Sequence, residues 1–451
     1  MGFTARAFHF VLLLCLGLNA AADTPVLPSH PLSLTETLAL VRQRNPDLRA
    51  AQARIEQAAA RLDEVNAAFL PRIKAGVHYL HSNDPARAFG MIVSQRRFDF
   101  GMDINHPGYV EDFRPEIGAY WSLFRGGQDW YARQAAKLGI DSRRLQRSEL
   151  HNLLAAAASR AFYALLEAPR RVDVADKTLT TVRKELELMR ARQREGTALK
   201  SDVLSLEVRL SQARQDRIRA ENAELAARTA LATLLGLPAD APLAVQDESR
   251  RLLPSEGDFA RWLQQALAHR PEWLAARKQV EMREKELKAA WGGHLPRVDA
   301  FVVYGMNSKN PRFPTSQDNW TMGLKAEIDL FSGGAVNARV RQARQRLEEA
   351  KQVEESTRLR VEKEVRSAWL DLRDALARVE VATNAVAAAE EALKLVRAQY
   401  RGGTATVTRF LEAETDAAGA RLQLISSRFG ALVAEAELKR ATGVWSTEDG
   451  T

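Results

Sequence analysis

Residues 361–404 read VEKEVRSAWLDLRDALARVEVATNAVAAAEEALKLVRAQYRGGT, and the periodicity of this stretch decides the fold. Its apolar or small residues fall at Val361, Val365, Ala368, Leu372, Ala375, Val379, Ala382, Val386, Ala389, Leu393, Val396 and Tyr400. The steps alternate four, three, four, three, a 3.5-residue repeat that keeps one seam of a helix against a partner as both supercoil. In a chain that is 46% apolar, such a ladder arises by chance roughly once in ten thousand trials. The helix is predicted to stop at Arg401-Gly402-Gly403-Thr404, a glycine signal followed by a Thr able to cap the next helix.

Working outward, the same items occur twice. Asn45-Pro46-Asp47-Leu48 returns as Arg270-Pro271-Glu272-Trp273, and Leu70-Pro71-Arg72-Ile73 as Leu295-Pro296-Arg297-Val298, both at an offset of 225 (271 − 46 and 296 − 71). Leu123-Phe124-Arg125-Gly126-Gly127 returns as Leu330-Phe331-Ser332-Gly333-Gly334, at 207 (330 − 123), and Gly196-Thr197 as Gly403-Thr404 at the same spacing. Shifting the opening ladder back by 207 gives Leu154, Ala158, Ala161, Leu165, Ala168, Val172, Ala175, Leu179, Val182, Leu186, Met189 and Gln193, all but the last apolar. The chain is a duplication. The first repeat spans 23–235, a connecting segment 236–257, the second repeat 258–443 and a tail 444–451.

Each half reads helix, strand, loop, strand, long helix, tight Gly-Thr turn, shorter helix. The long helices are predicted over Gln128–Glu195 and Ala335–Arg401, each about 100 Å long. Pro169 is expected to bend the first or mark a fault in it. The strands alternate in polarity: Ile73, Ala75, Val77 and Tyr79 oppose Lys74, Gly76 and His78. The second copy repeats the apolar set as Val298, Ala300, Val302 and Tyr304. Ile117, Ala119, Trp121 and Leu123 form a further alternating run, with a loop from about Ser82 to Arg114 before it. In the fourth strand Leu324, Ala326, Ile328 and Leu330 oppose Lys325, Glu327 and Asp329. Apolar residues facing lipid, with Lys74, His78, Lys325, Glu327 and Asp329 facing a wet lumen, fit a transmembrane β-barrel. Four strands cannot close one, so subunits must share it: two chains give eight strands, three give twelve. An eight-stranded barrel is filled by its own side chains, whereas twelve strands leave room for a channel.

The N-terminus sets the compartment. Arg6, the apolar run Phe8–Leu18 and the small-residue site Asn19-Ala20-Ala21-Ala22 are expected to form a cleaved signal peptide over residues 1–22. The single cysteine, Cys15, lies inside that run, so disulfides and cysteine-ligated metals are not expected. The formal charge of +8 is interleaved with Glu along helices, as on solvated faces, and an exported chain does not meet nucleic acid. There is no phosphate-cradling G-x-x-x-x-G-K-[ST] and no local nucleophile signature, so neither an enzyme nor a cofactor is expected. His78 and His81 fall on opposite strand faces and do not form a metal pair. The remaining alternative is a non-transporting periplasmic coiled-coil scaffold or adaptor with its strands in a soluble β-domain.

The ordered, duplicated set just quoted, together with Tyr400-Arg401-Gly402-Gly403-Thr404 and Leu411-Glu412-Ala413, resembles the TolC-like outer membrane efflux proteins from Leu34 to Gly443. The resemblance implies a mainly α fold with a small β part. Four transmembrane strands per chain would enter a shared 12-stranded barrel in a homotrimer, and duplicated coiled-coil hairpins would form a periplasmic α-barrel. It also implies a periplasmic adaptor, an inner-membrane pump of the RND or ABC type, and outer membrane lipid as partners. By position, Gly196, Thr197, Gly403 and Thr404 would lie at the tip where adaptors dock. The family closes its tunnel with acidic residues just after the second turn. Here Glu412 holds one such position and Arg409 stands at the other, with Asp202 in a comparable place after the first turn. Arg409 and Glu412, three apart on one helix, suggest a mixed-charge gate.

Overall fold

The structure, a computed structural model, describes residues 30–247, 258–311 and 315–447; the expected signal peptide and Cys15 lie outside them. Helix α1 (Leu34–Arg44) opens on a capping box in which Ser33 and Glu36 satisfy each other's backbone amides. Asn45 ends it and Pro46 starts α2 (Pro46–Asn66), because proline tolerates only the first turn of a helix. Strand β1 (Arg72–Ser82) follows, then α3 (Pro85–Ser94), β2 (Val110–Arg125), α4 (Gln128–Arg194) and α5 (Lys200–Leu234). After the connecting segment come α6 (Phe259–His269), α7 (Pro271–Trp291), β3 (Arg297–Met306), β4 (Asp318–Glu327), α8 (Ala335–Arg401), α9 (Val407–Thr442) and α10 (Val444–Thr447).

The two long helices contain 67 residues each, about 100 Å. In α8, nine of the twelve ladder residues are buried; Val379, Val386 and Ala389 are half-buried. Helix α4 runs through Pro169 without a break. Each long helix folds back along the shorter one after it, and α4 also packs on α9, joining the two hairpins. Toward the sheet, α2, α4, α7 and α8 form a layer in that order.

The four strands make one antiparallel sheet in sequence order. Three details differ from the sequence reading. The stretch from Ser82 to Arg114 is not all loop: α3 lies in it, with Ala88, Met91 and Ile92 packed on Val110, and β2 starts at Val110. The sequence of α3 lacks a partner of the same period in the second copy, so only its apolar face could have revealed it. Second, Leu123 does not continue the alternation. It sits in a β-bulge, Trp121 pairing with Ala300 and Phe124 with Val298, so Phe124 resumes the apolar face. Third, β4 ends at Glu327, which places Ile328, Asp329 and Leu330 beyond the strand.

The two halves end their α1-α2 and α6-α7 junctions differently. Asn45 donates from Nδ2 to Leu234 O at 3.0 Å and accepts from Asp47 N at 2.9 Å. At the matching place Arg270, only 2% exposed, donates to Ala441 O, pairs with Glu272 at 2.5 Å and bonds Glu364. Arg440 also reaches Glu364, at 3.3 Å, and Glu437, at 2.8 Å. This ion cluster ties the α6-α7 junction to α8 and α9.

Gly126, at φ 60°, and Gly292 face each other where β2 turns into α4, and a Cβ on either would strike the other's carbonyl. Gly126→Ala is therefore expected to destabilise by about 3 kcal/mol or more, read as a lowered melting temperature by circular dichroism. An unchanged melt would show that this contact does not hold the junction.

Candidate functional site

Two regions carry the sequence-derived candidates. The first is the sheet. Its cross-strand register aligns Ala75 with Ile117 and Tyr304 with Trp320, and likewise Ala119 with Val302 and Met322. Because side chains alternate, one face is apolar across all four strands. That face is bare: Ile73 is 71% exposed, Val77 67%, Met322 67% and Leu324 75%. No described residue forms a second layer over it, which an ordinary sandwich would require. Aromatic residues stand near both ends of this face, Trp121 at one and Tyr79, Tyr304 and Trp320 at the other.

The opposite face holds the expected polar set. Lys74 lies 5.7 Å over the Tyr120 ring, His78 is 3.2 Å from Glu116, and Lys325 is 2.6 Å from Glu327. Sequence reading missed their company: Arg114 is 3.0 Å from Glu116, and Asp299 pairs with Arg297 at 2.6 Å and accepts from Ser122 at 2.5 Å. Arg114 and Glu116 are two apart on β2, and Arg297 and Asp299 two apart on β3, so each pair shares this face; Ser122 and Asp299 meet across the strands, and Arg114 falls in the stretch whose sequence reads as loop. Asp329 is not part of this face, since the strand has ended.

The second region is the far end of the hairpins. Gly196 and Gly403 take φ of 71° and 77°, the left-handed conformation that ends a helix without a Cβ clash. Thr197 then closes α4, its N and Oγ1 donating to Arg192 O at 2.9 and 3.0 Å. Thr404 does the same to Gln399 O, at 2.9 and 3.0 Å. Thr404 thus finishes the old helix and does not start the new one. The cap of α9 is Thr406, whose hydroxyl accepts from Arg409 N at 3.2 Å. One apolar cluster unites both turns, with Leu186, Met189, Val203 and Leu206 against Val396, Tyr400, Val407 and Phe410. Tyr400 stacks on Phe410 at 5.0 Å, and burial, with the nearby Glu185 carboxylate, pushes the Tyr400 phenol up from its usual range.

Within this end, Arg409 and Glu412 pair at 3.2 Å, each more than half exposed. Asp202 sits in the first turn of α5, its N–H bonded to Leu199 O at 3.2 Å. Sequence reading overlooked Glu414, 3% exposed, which Arg397 reaches across the hairpin at 3.2 Å. Its position on the seam, where an apolar residue is expected, was the available signal. Among the described residues no helix is long and apolar enough to cross a membrane, and no three His, Cys, Asp or Glu side chains form a metal-binding group.

The model of the family described as "Outer membrane efflux protein" matches residues 37–237 and 262–444. The proteases secretion protein PrtF of Dickeya chrysanthemi is 25% identical over 63% of this chain and 63% of its own length. The alkaline protease secretion protein AprF of Pseudomonas aeruginosa is 24% identical over 85% of this chain and 78% of its own. Among solved structures, the outer membrane protein VceC of Vibrio cholerae superposes with a TM-score of 0.77 at 18% identity, covering 91% of this chain and 96% of that one.

Proposed function

The chain belongs to the outer membrane efflux protein family, and from that premise we propose that it is the outer membrane exit duct of a tripartite efflux or type I secretion system. It is an outer membrane channel protein with a long periplasmic helical extension. Three copies share one 12-stranded barrel, and their hairpins enclose a passive tunnel for small molecules, drugs, metals or secreted protein.

The observation that carries this reading is the sheet: one continuous bare apolar face, a charged opposite face, and two open edges at β1 and β4. An open edge in lipid leaves amides and carbonyls unsatisfied at several kcal/mol each, so neighbouring copies must pair there. Twelve strands, and not eight, leave a path through the middle. The duplication supports the same conclusion. Leu123 and Phe124 are each 46% exposed beside the second half, whereas their counterparts Leu330 and Phe331, at the open β4 end, are 91% and 89% exposed. A neighbouring copy would cover them. The scaffold alternative offers no cover for either surface.

The Gly196-Thr197 and Gly403-Thr404 turns form the periplasmic tip where an adaptor docks, and an inner-membrane RND or ABC pump supplies the energy. Protease secretion by two relatives favours a secreted protein among the possible cargoes. Arg409 and Glu412, with Asp202 in the matching place after the first turn, act as a mixed-charge gate. Their exposed pair contributes only a few tenths of a kcal/mol to stability, so its effect is on ions and not on folding. In single-channel recordings of bilayer-inserted protein, Arg409→Ala is expected to shift selectivity toward cations and Glu412→Ala toward anions. Selectivity and conductance unchanged from wild type in both would remove the gate. The reading as a whole is tested by fractionation. A duct pellets with outer membranes and needs detergent to leave them; release by detergent-free lysis would contradict it.

A further inference from the structure

Below the sheet, the layer α2-α4-α7-α8 encloses a hollow of about 680 Å³ lined by residues of all four helices. A cavity that touches both outer helices of a layer lies on its concave side. Its charged lining is Arg54, Arg61, Arg143, Arg339, Arg346 and Glu286, over a floor of alanines, Gly139 and Met282. The one acid is engaged already, 2.6 Å from Arg283. Arg61 has an ion pair with Glu64, and Arg143 bonds Gln146 at 2.8 Å. Arg54, Arg339 and Arg346 have no side-chain hydrogen bond or ion pair with any described residue. The local sequence agrees: residues 335–347 contain Arg339, Arg341, Arg344 and Arg346 and no acid.

The excess continues upward. A second hollow, about 580 Å³, lies against the charged sheet face and is lined by Arg72, Lys74, Arg125, Arg297 and Lys325 with Asp299 as its only acid. Three of those cations have carboxylate partners, in Asp129, Asp299 and Glu327, which leaves Arg72 and Lys74. Concave walls of one charge sign focus the field into the space they enclose. Guanidinium forks match carboxylate and phosphate oxygens in pairs.

We propose that this arginine-lined hollow is an anion-binding section of the passage, which takes solutes carrying several carboxylate or phosphate groups. The proposal rests on the duct reading, since only a closed tube brings three copies of the hollow around one axis. It names a class of cargo that the fold alone leaves open.

The test uses full-length protein, with Arg54→Gln, Arg61→Gln, Arg339→Gln and Arg346→Gln combined, and a second variant with lysine at the same four positions. Reversal potential in a KCl gradient reads ion preference across planar bilayers, and titration calorimetry in lipid-free detergent reads binding of inositol hexakisphosphate. Wild-type protein is expected to prefer chloride and to bind the hexakisphosphate. The glutamine variant is expected to lose the preference and to bind about tenfold more weakly, while the lysine variant keeps the chloride preference. Wild-type protein that prefers cations and binds no hexakisphosphate overturns the proposal whatever the variants do. So does a glutamine variant indistinguishable from wild type. Wild-type protein that binds the hexakisphosphate but conducts nothing defeats the duct reading and leaves the anion site standing.

Discussion

Met322→Arg is expected to keep the chain out of the outer membrane. Met322 lies in the middle of β4, opposite Val302 on the apolar face, with Trp320 and Leu324 on either side and 67% of its surface bare. Arginine at the midplane of a barrel's lipid face costs about 2–4 kcal/mol, and a trimer carries that cost three times. The neighbouring Thr321→Arg provides the control. It shares the strand and the depth but points to the charged face, opposite Val303. The measurement is the amount of each variant recovered in sedimented outer membranes. Recovery of Met322→Arg at the wild-type level, or equal losses for both variants, would reverse the assignment of faces.

Arg270→Ala is expected to have the next largest effect, about 3–5 kcal/mol of destabilisation. The change removes a guanidinium that is 2% exposed and leaves Glu272 partly buried without its cation, and Ala441 O without its donor. Arg270→Lys should rescue little, because a point charge cannot reach Glu272, Glu364 and Ala441 together. Asn45→Ala, the equivalent change in the first half, removes a neutral cap and the bond to Leu234 O and is expected to cost about 2 kcal/mol. Denaturant unfolding followed by helical circular dichroism compares the three, and equal costs for Arg270→Ala and Asn45→Ala would show that the ion cluster adds nothing. The cluster also gives a pH dependence. Burial acts to raise the Glu364 carboxyl, but the hydrogen bond and charge of Arg270, with Arg440, outweigh it and hold the group below 4.5. Its stabilising contribution is therefore complete above pH 4.5 and is lost as pH falls through the depressed value. On α4, Glu149 has the opposite shift. Burial, together with repulsion from Glu272, raises it, so its ionisation opposes folding as pH rises.

Much of the architecture was legible in the sequence because its signals are periodic and repeated. The 3.5-residue ladders, with Gly126-Gly127 and Gly333-Gly334 before them and the Gly-Thr turns after them, located both 67-residue helices to within one residue, and alternation located the strands. What escaped has no period. The bulge at Leu123 inserts one residue and inverts the faces after it, so Leu123 was assigned to the wrong side. Asp329 continues the alternation of β4 in sequence although no partner strand remains for it to pair with. Among the described residues helix α3 occurs in one copy only, so the duplication could not call attention to it. Thr404 looked like a cap for the next helix because both roles require a hydroxyl beside glycine; only the bond to Gln399 O distinguishes them. The arginine hollow draws on four helices far apart in the chain, and no local pattern unites them.

The central claim, that a four-stranded chain completes its barrel by sharing it, is tested most directly by native mass spectrometry of the protein extracted from outer membranes in detergent. Three chains per particle is the expected stoichiometry, giving twelve strands around an open path. A particle of one chain would leave both sheet edges unpaired in lipid, and a particle of two would close an eight-stranded barrel filled by its own side chains. Either result would contradict the exit duct.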